Sequence, residues 1–310
     1  MDEEILKRIE ELEKQVNADP SDFKSRREYA DALLEGDYSE EALKQFKQLL
    51  KIFPNDAELY FCAGIAFEQL KNIDFAEKSY LKAIGLSPDN SDYHYNLAFL
   101  YDQSGKIEEA VSEYKKTLDL DYSDEYAHFN LACLFVKQNK SQGAVKHFET
   151  AIKLNPNDEY AHFYLAYEYK KAGEIEKALN EYRSVINLNP GYSWAYYNIA
   201  CIFYEQGLID KAIINFKKTV ELNSTDIETY KILSSIFVSK KDYDSALNYL
   251  KNAIIHHNTN GDLHYSIAKL YKSLNQPANA ISHLEQALEH KESLSISQAQ
   301  VLSEIAAIKK

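Results

Sequence analysis

The feature that most constrains this chain is a hexapeptide that occurs twice. Asp-Glu-Tyr-Ala-His-Phe fills residues 124–129 and again residues 158–163, 34 positions later. Self-similarity at a fixed period of this size marks a repeat array, in which each repeat buries its apolar face against its neighbours. The period can be followed outward. Pro20, Pro54, Pro88, Tyr122, Pro156, Pro190, Ser224 and Asn258 stand 34 apart at a recurring turn position. Eight repeats follow without an insertion: 23–56, 57–90, 91–124, 125–158, 159–192, 193–226, 227–260 and 261–294.

The columns of these repeats alternate small and large residues. Position 20 is alanine in every repeat, from Ala42 to Ala280, and position 8 is small throughout, for example Ala98, Ala132 and Ala166. Position 11 is large (Phe67, Tyr101, Phe135), and so is position 24 (Tyr80, Tyr114, Phe148). Small residues let two helices approach, and large ones fill the space beside them. Gly105, Gly173 and Gly207, with Asn139 in the matching turn, end a first helix where the chain must reverse. Residues 3–17 and 296–308 read as one further amphipathic helix at each end, with Ile5, Leu6, Ile9, Leu12 and Val16 along one side of the first.

These columns resemble the tetratricopeptide repeat: small at 8, aromatic at 11, alanine at 20, aromatic at 24 and proline at 32. The resemblance covers residues 23–294 and departs at position 4, often tryptophan in the family but here Arg26, Tyr60, His94, His128, His162, Tyr196, Tyr230 and His264. It implies an all-α fold, a right-handed α-solenoid (superhelix) of helix pairs whose first helices line the concave side. The expected organisation is a capping helix in 1–22, eight repeats in 23–294 and a second capping helix in 295–310.

Composition narrows the function. With 27% charged and 45% hydrophobic residues, and only 9 Gly and 6 Pro, the chain suits a soluble helical protein. It has no apolar run long enough to span a membrane, and its acidic start is unlike a secretory signal. Three cysteines without a CxxC fit a reducing, cytoplasmic location. The net charge of −13 is unevenly placed: residues 1–124 hold 28 acids and 15 bases, whereas residues 125–310 hold 20 of each. That disfavours nucleic acid, whose affinity comes from Lys and Arg, and an acidic end can attract basic partners at the N-terminal repeats. A solvated outer face explains the same charge without a partner.

At roughly 100° per residue, positions 4, 7, 8 and 11 of a first helix face the core and positions 2, 5, 6, 9, 12 and 13 face away. In the middle repeats that outer face is aromatic. It carries Tyr95, Asn96 and Phe99 in the third repeat, Tyr126, Phe129 and Asn130 in the fourth, Tyr160, Phe163, Tyr164 and Tyr167 in the fifth, and Trp194, Tyr197 and Asn198 in the sixth. Such a surface is a candidate peptide-binding groove. Tyrosine supplies rigid contact area with a polar tip, and an asparagine amide can pair with a peptide bond of any sequence. Packing between neighbouring first helices is the competing reading for position 5. Asn96, Asn130 and Asn198 look like the asparagine ladder in the tetratricopeptide portion of O-linked N-acetylglucosamine transferases, which holds extended polypeptide; Tyr164 interrupts the series.

Other chemistries find little support. The carboxylate clamp of chaperone-binding family members needs basic residues in the groove, and the second to sixth repeats supply none there. His94, His128 and His162 share a position, but successive repeats lie about 10 Å apart and a zinc–nitrogen bond is about 2 Å, so one metal cannot bridge them. Cys133 and Cys201 lie two repeats apart with no histidine base beside them. No phosphate loop, HExxH or GxSxG occurs. The expectation is a non-catalytic scaffold, without metal or cofactor, that binds a protein or peptide in the groove. The alternatives are self-association and service as the targeting subunit of a separately encoded enzyme.

Overall fold

The computed structural model describes residues 3–309, and among them there are only helices and connecting turns. After α1 (Glu3–Ala18) the chain runs in pairs: α2 (Phe23–Glu35) with α3 (Ser39–Ile52), α4 (Ala57–Gln69) with α5 (Ile73–Leu86), α6 (Ser91–Gln103) with α7 (Ile107–Leu120), and α8 (Glu125–Lys137) with α9 (Ser141–Leu154). It continues with α10 (Glu159–Lys171), α11 (Ile175–Leu188), α12 (Ser193–Glu205), α13 (Ile209–Leu222), α14 (Ile227–Ser239), α15 (Tyr243–His256), α16 (Gly261–Ser273) and α17 (Pro277–Glu289). A 3-10 turn (Lys291–Ser293) leads to α18 (Gln298–Ile308). This is the all-α solenoid of helix pairs. Among the described residues no helix is long and apolar enough to cross a membrane.

Two compact blocks divide the chain, one up to Ala161 and one from His162 onward. In the N-terminal block α1 packs on α2, and α3, α5 and α7 each pack on the first helix of the next pair. The C-terminal block follows the same rule from α11 to α18.

Local sequence sets the helix limits. Position 34 supplies a side-chain cap again and again: Asp56 accepts from the Leu59 amide, Asn90 from Asp92, Asp124 from Ala127, Asp158 from Ala161, Asp226 from Thr229 and Asn260 from Leu263. These bonds satisfy amides that a helix start leaves open. At the other end, position 15 takes a left-handed backbone in all eight repeats: Asp37, Lys71, Gly105, Asn139, Gly173, Gly207, Lys241 and Asn275, with φ between 55° and 79°. Glycine and asparagine accept that geometry readily; Lys71 and Lys241 hold it against the Cβ–carbonyl crowding that L-residues meet there.

The alanines of position 20 are fully buried in every repeat, and the position-24 residues from Phe46 to Leu284 are buried with them. Both positions lie on the second helix; its position-24 side chain meets the small position-8 residue of the first helix, as Tyr80 meets Gly64, and small residues there let the two helices close at packing density. At the ends, α1 buries Ile9, Leu12 and Val16 in a core shared with Tyr29 and Leu33, while Val301 and Ile305 of α18 pack with Ala268 and Leu284.

Candidate functional site

Positions 2, 6 and 9 are spaced i, i+4 and i+7, so they form one stripe along a first helix. Large aromatics on that stripe stand in solvent. In the N-terminal block Tyr126 is 62% and Tyr160 54% exposed, and in the C-terminal block Trp194 is 58% exposed. Phe99 in the first block and Tyr164 and Tyr167 in the second are exposed as well. A tryptophan left this bare forfeits burial of a large apolar ring.

Position 5 behaves differently. Tyr95 meets Tyr114 edge to face with ring centroids 5.6 Å apart, Phe129 meets Phe148 at 5.7 Å, Phe163 meets Tyr182 at 5.7 Å and Tyr197 meets Phe216 at 5.8 Å. Each pair joins the first helix of a repeat to its own second helix, in the geometry that ring quadrupoles favour. Position 5 lies one helical step from position 4, and a long ring can lean back over the core edge. Within each block the position-5 rings are half-buried beside the exposed aromatics at positions 2, 6 and 9 of the same helices. The hydroxyl of Tyr182, which packs against Phe163 from α11, is buried without a hydrogen-bond partner.

The three asparagines are not equivalent. Nδ2 of Asn96 donates to the Asp92 carbonyl at 2.8 Å, and Nδ2 of Asn198 donates to the Trp194 carbonyl at 2.8 Å. Both amides fold back on their own helix, one N–H engaged. Asn130 reaches the preceding repeat, donating to the Tyr95 hydroxyl at 3.1 Å.

The position-4 histidines are fasteners. His94 Nδ1 lies 2.7 Å from Glu113, His128 Nδ1 2.8 Å from His147 Nδ1, His162 Nδ1 2.6 Å from Glu181 and His264 Nδ1 3.0 Å from His283 Nδ1. The partner is always 19 residues on, at position 23 of the same repeat. The other ring nitrogen faces the preceding turn: His94 Nε2 is 3.0 Å from the Pro88 carbonyl, His128 Nε2 3.1 Å from that of Tyr122 and His264 Nε2 2.9 Å from that of Asn258. A carbonyl only accepts, so Nε2 carries the proton in all three. Arg26 does the same work, donating to Gln45 at 2.7 Å and to the Pro20 carbonyl at 3.2 Å. Burial, then the neighbouring His128, pushes His147 down to about 4; burial, then His264, does the same to His283. His128 is lowered too, chiefly by burial. Among the described residues no three His, Cys, Asp or Glu side chains are grouped to hold a metal. Burial pushes the Cys133 thiol up to about 12 and raises that of Cys201, the opposite of what a nucleophile needs.

A helix-pair array with an aromatic first-helix face defines a repeat protein of the α-solenoid class. Tetratricopeptide repeat models match residues 30–91, 79–112, 125–158, 147–180, 166–207, 195–226 and 237–300. The chain is a tetratricopeptide repeat protein. No curated protein sequence matches it. Among solved structures it is similar to MamA, with 27% identity over 53% of this chain and 96% of that one and a TM-score of 0.51. The C-terminal part of a TPR repeat-containing protein from Cytophaga hutchinsonii covers 76% of this chain, with 97% of its own length matched, 19% identity and a TM-score of 0.69. YrrB, a TPR protein with an unusual peptide-binding site, matches 63% of this chain and 97% of its own at 21% identity, with a TM-score of 0.55. At those identities the last two speak to the fold alone. Tetratricopeptide families are in general interaction modules and not catalysts.

Proposed function

We propose that the protein is a non-catalytic scaffold that holds an extended peptide segment on the first-helix faces of its middle repeats. The observation that carries this reading is the row of exposed aromatics at position 2, Tyr126 and Tyr160 in the N-terminal block and Trp194 in the C-terminal block. Rigid rings held by a packed helix give contact area at small entropic cost. Tyr95, Phe129, Phe163 and Tyr197 serve as the floor, with Phe99, Tyr164 and Tyr167 flanking the ligand. Asn96, Asn130 and Asn198 keep acceptor oxygens, and a second N–H each, for peptide bonds, in the manner of the asparagine ladder. YrrB lends analogy on the same fold, since a peptide site is what its structure was noted for. Low-reactivity thiols and fastened histidines support the absence of catalysis. The acidic N-terminal repeats favour a partner that is basic where it meets them.

The test is binding of the purified protein to an array of unstructured peptides, with Tyr160→Ala and Trp194→Ala variants measured separately. Removing a central aromatic anchor costs about 2 kcal/mol or more, roughly thirtyfold in affinity. Unchanged affinity in both variants refutes the reading. A protein that binds no peptide and sediments as a dimer or larger replaces it with self-association.

A further inference from the structure

The C-terminal block contains a second surface, chemically unlike the aromatic stripe. A cavity of about 940 Å³ opens between α14, α16 and α18, with Lys231, Lys269, Lys272 and Glu304 on its walls and Ser234, Ser235 and Ser266 beside them. Three lysines and one carboxylate thus line the same space. Lys272 lies 3.7 Å from Glu304, and Lys231 pairs with Glu228 at 3.0 Å. Lys269 rests over the Tyr265 ring, its nitrogen 5.8 Å from the centroid, and has no carboxylate partner among the described residues. The chain already shows how a carboxylate sits there: Glu304 accepts from the Tyr265 hydroxyl at 2.7 Å while facing Lys272.

Between this cavity and α12, which carries Trp194 and Tyr197, lies a second space. A smaller pocket of about 160 Å³ runs from Cys201, Tyr204 and Glu205 on α12 to Ile232 and Ser235 on α14, and Ser235 lines both spaces. An extended chain that lies on Trp194 and Tyr197 and crosses the first helices in order meets α14 and then the lysines of α16. Helices pack about 10 Å apart, so the path from α12 to α16 is about 20 Å, which an extended chain covers in about six residues. The volume fits a run of side chains better than one small ion.

We infer that the C-terminal block binds a peptide with an aromatic or apolar anchor followed or preceded, about six residues away, by a cluster of acidic side chains that occupy the Lys231–Lys269–Lys272 cavity. The inference rests on the peptide-binding reading of this block. Neutral hydroxyls of Ser234, Ser235 and Ser266 accompany the lysines and suit carboxylate acceptors.

The test uses two fluorescein-labelled probes: a Trp-Phe pair, a Gly-Ser-Gly-Ser spacer and three Glu residues, and the same peptide with Gln for Glu, each also made in reverse order. Binding is read by fluorescence anisotropy against the full chain, Lys269→Glu/Lys272→Glu and Trp194→Ala, with circular dichroism confirming that the variants fold. Each exposed ion pair is weak, but three together supply about tenfold. The expected result is a Glu peptide, in one of its two orders, bound about tenfold more tightly than its Gln counterpart at low salt, with that preference abolished in Lys269→Glu/Lys272→Glu and kept in Trp194→Ala. Equal binding of Glu and Gln peptides, or a preference untouched by the lysine reversal, overturns the inference. If charge makes no difference while Trp194→Ala weakens both peptides, the aromatic reading stands and the acidic one falls. No binding of any probe overturns both.

Discussion

Gly64 offers a test in which two well-known effects have opposite signs. It occupies position 8 of the second repeat, and a Cβ there would lie 2.5 Å from Cε1 and 2.6 Å from Cδ1 of Tyr80. Yet the third and fifth repeats hold alanine at position 8 beside tyrosine at position 24, Ala98 with Tyr114 and Ala166 with Tyr182. The difference lies in the hydroxyl. Tyr80 donates to Glu68 Oε2 at 2.7 Å, whereas the Tyr182 hydroxyl has no partner. The bond to Glu68 holds the ring over the glycine. Gly64→Ala gains about 0.8–1.0 kcal/mol of helix propensity. It also drives the ring away and breaks a hydrogen bond to a carboxylate, a loss of about 1.5–3 kcal/mol. The expected balance is a net destabilisation of about 1–2 kcal/mol, read from urea unfolding followed by circular dichroism. Tyr80→Phe should be costly in the wild-type background and nearly neutral in the Gly64→Ala background, a coupling of about 1 kcal/mol or more. A Gly64→Ala protein more stable than wild type would refute the argument, since propensity alone would then decide the site.

Two further outcomes follow from the backbone and the histidines. Lys71→Gly and Lys241→Gly relieve left-handed strain at φ 57° and 61° and should each raise stability by up to about 1 kcal/mol. Gly207→Ala, with no atom within 4 Å of its new Cβ, should lose a similar amount through the backbone alone, and thermal melts check both. The His128–His147 and His264–His283 pairs make the protein acid-sensitive. Their depressed members bind protons more weakly folded than unfolded, so their contribution is complete above the ordinary histidine value of 6.5 and is lost as pH falls from there toward about 4. Urea midpoints should drop between pH 7 and pH 5, and His147→Gln with His283→Gln should flatten that slope; an unchanged slope would sink the assignment.

Much of this architecture can be read from the letters, because a 34-residue period repeats every structural demand eight times. The buried alanines of position 20 and the large residues of position 24 are visible as columns. The helix caps at position 34 are nearly as regular in Asp56, Asn90, Asp124, Asp158, Asp226 and Asn260, with Tyr192 and Leu294 the exceptions, so that signal is present for anyone who aligns the repeats. Harder to foresee is the pairing of position 4 with position 23. It runs between the two helices of one repeat, and a search for histidine partners in neighbouring repeats looks in the wrong direction. Position 5 is ambiguous for a geometric reason: a side chain at the edge of the core face can lean either way, and only the edge-on contact with position 24 decides it. The lysine cavity leaves the faintest trace, since Lys231, Lys269, Lys272 and Glu304 come from three separate helices and each alone looks like ordinary solvated charge.

The position-4 fasteners also set how the chain answers a pulling force. Arg26, His94, His128 and His264 each pin the preceding turn to the second helix of their own repeat, so load passing through that turn is shared with the whole pair. The second, sixth and seventh repeats carry Tyr60, Tyr196 and Tyr230 at that position, without the ring nitrogen that grips the carbonyl. One repeat drawn out straight yields about 110–120 Å of chain. Stretched between a held partner and an anchored end, the array would release slack in steps of that size, beginning at its tyrosine repeats while the fastened ones stay shut.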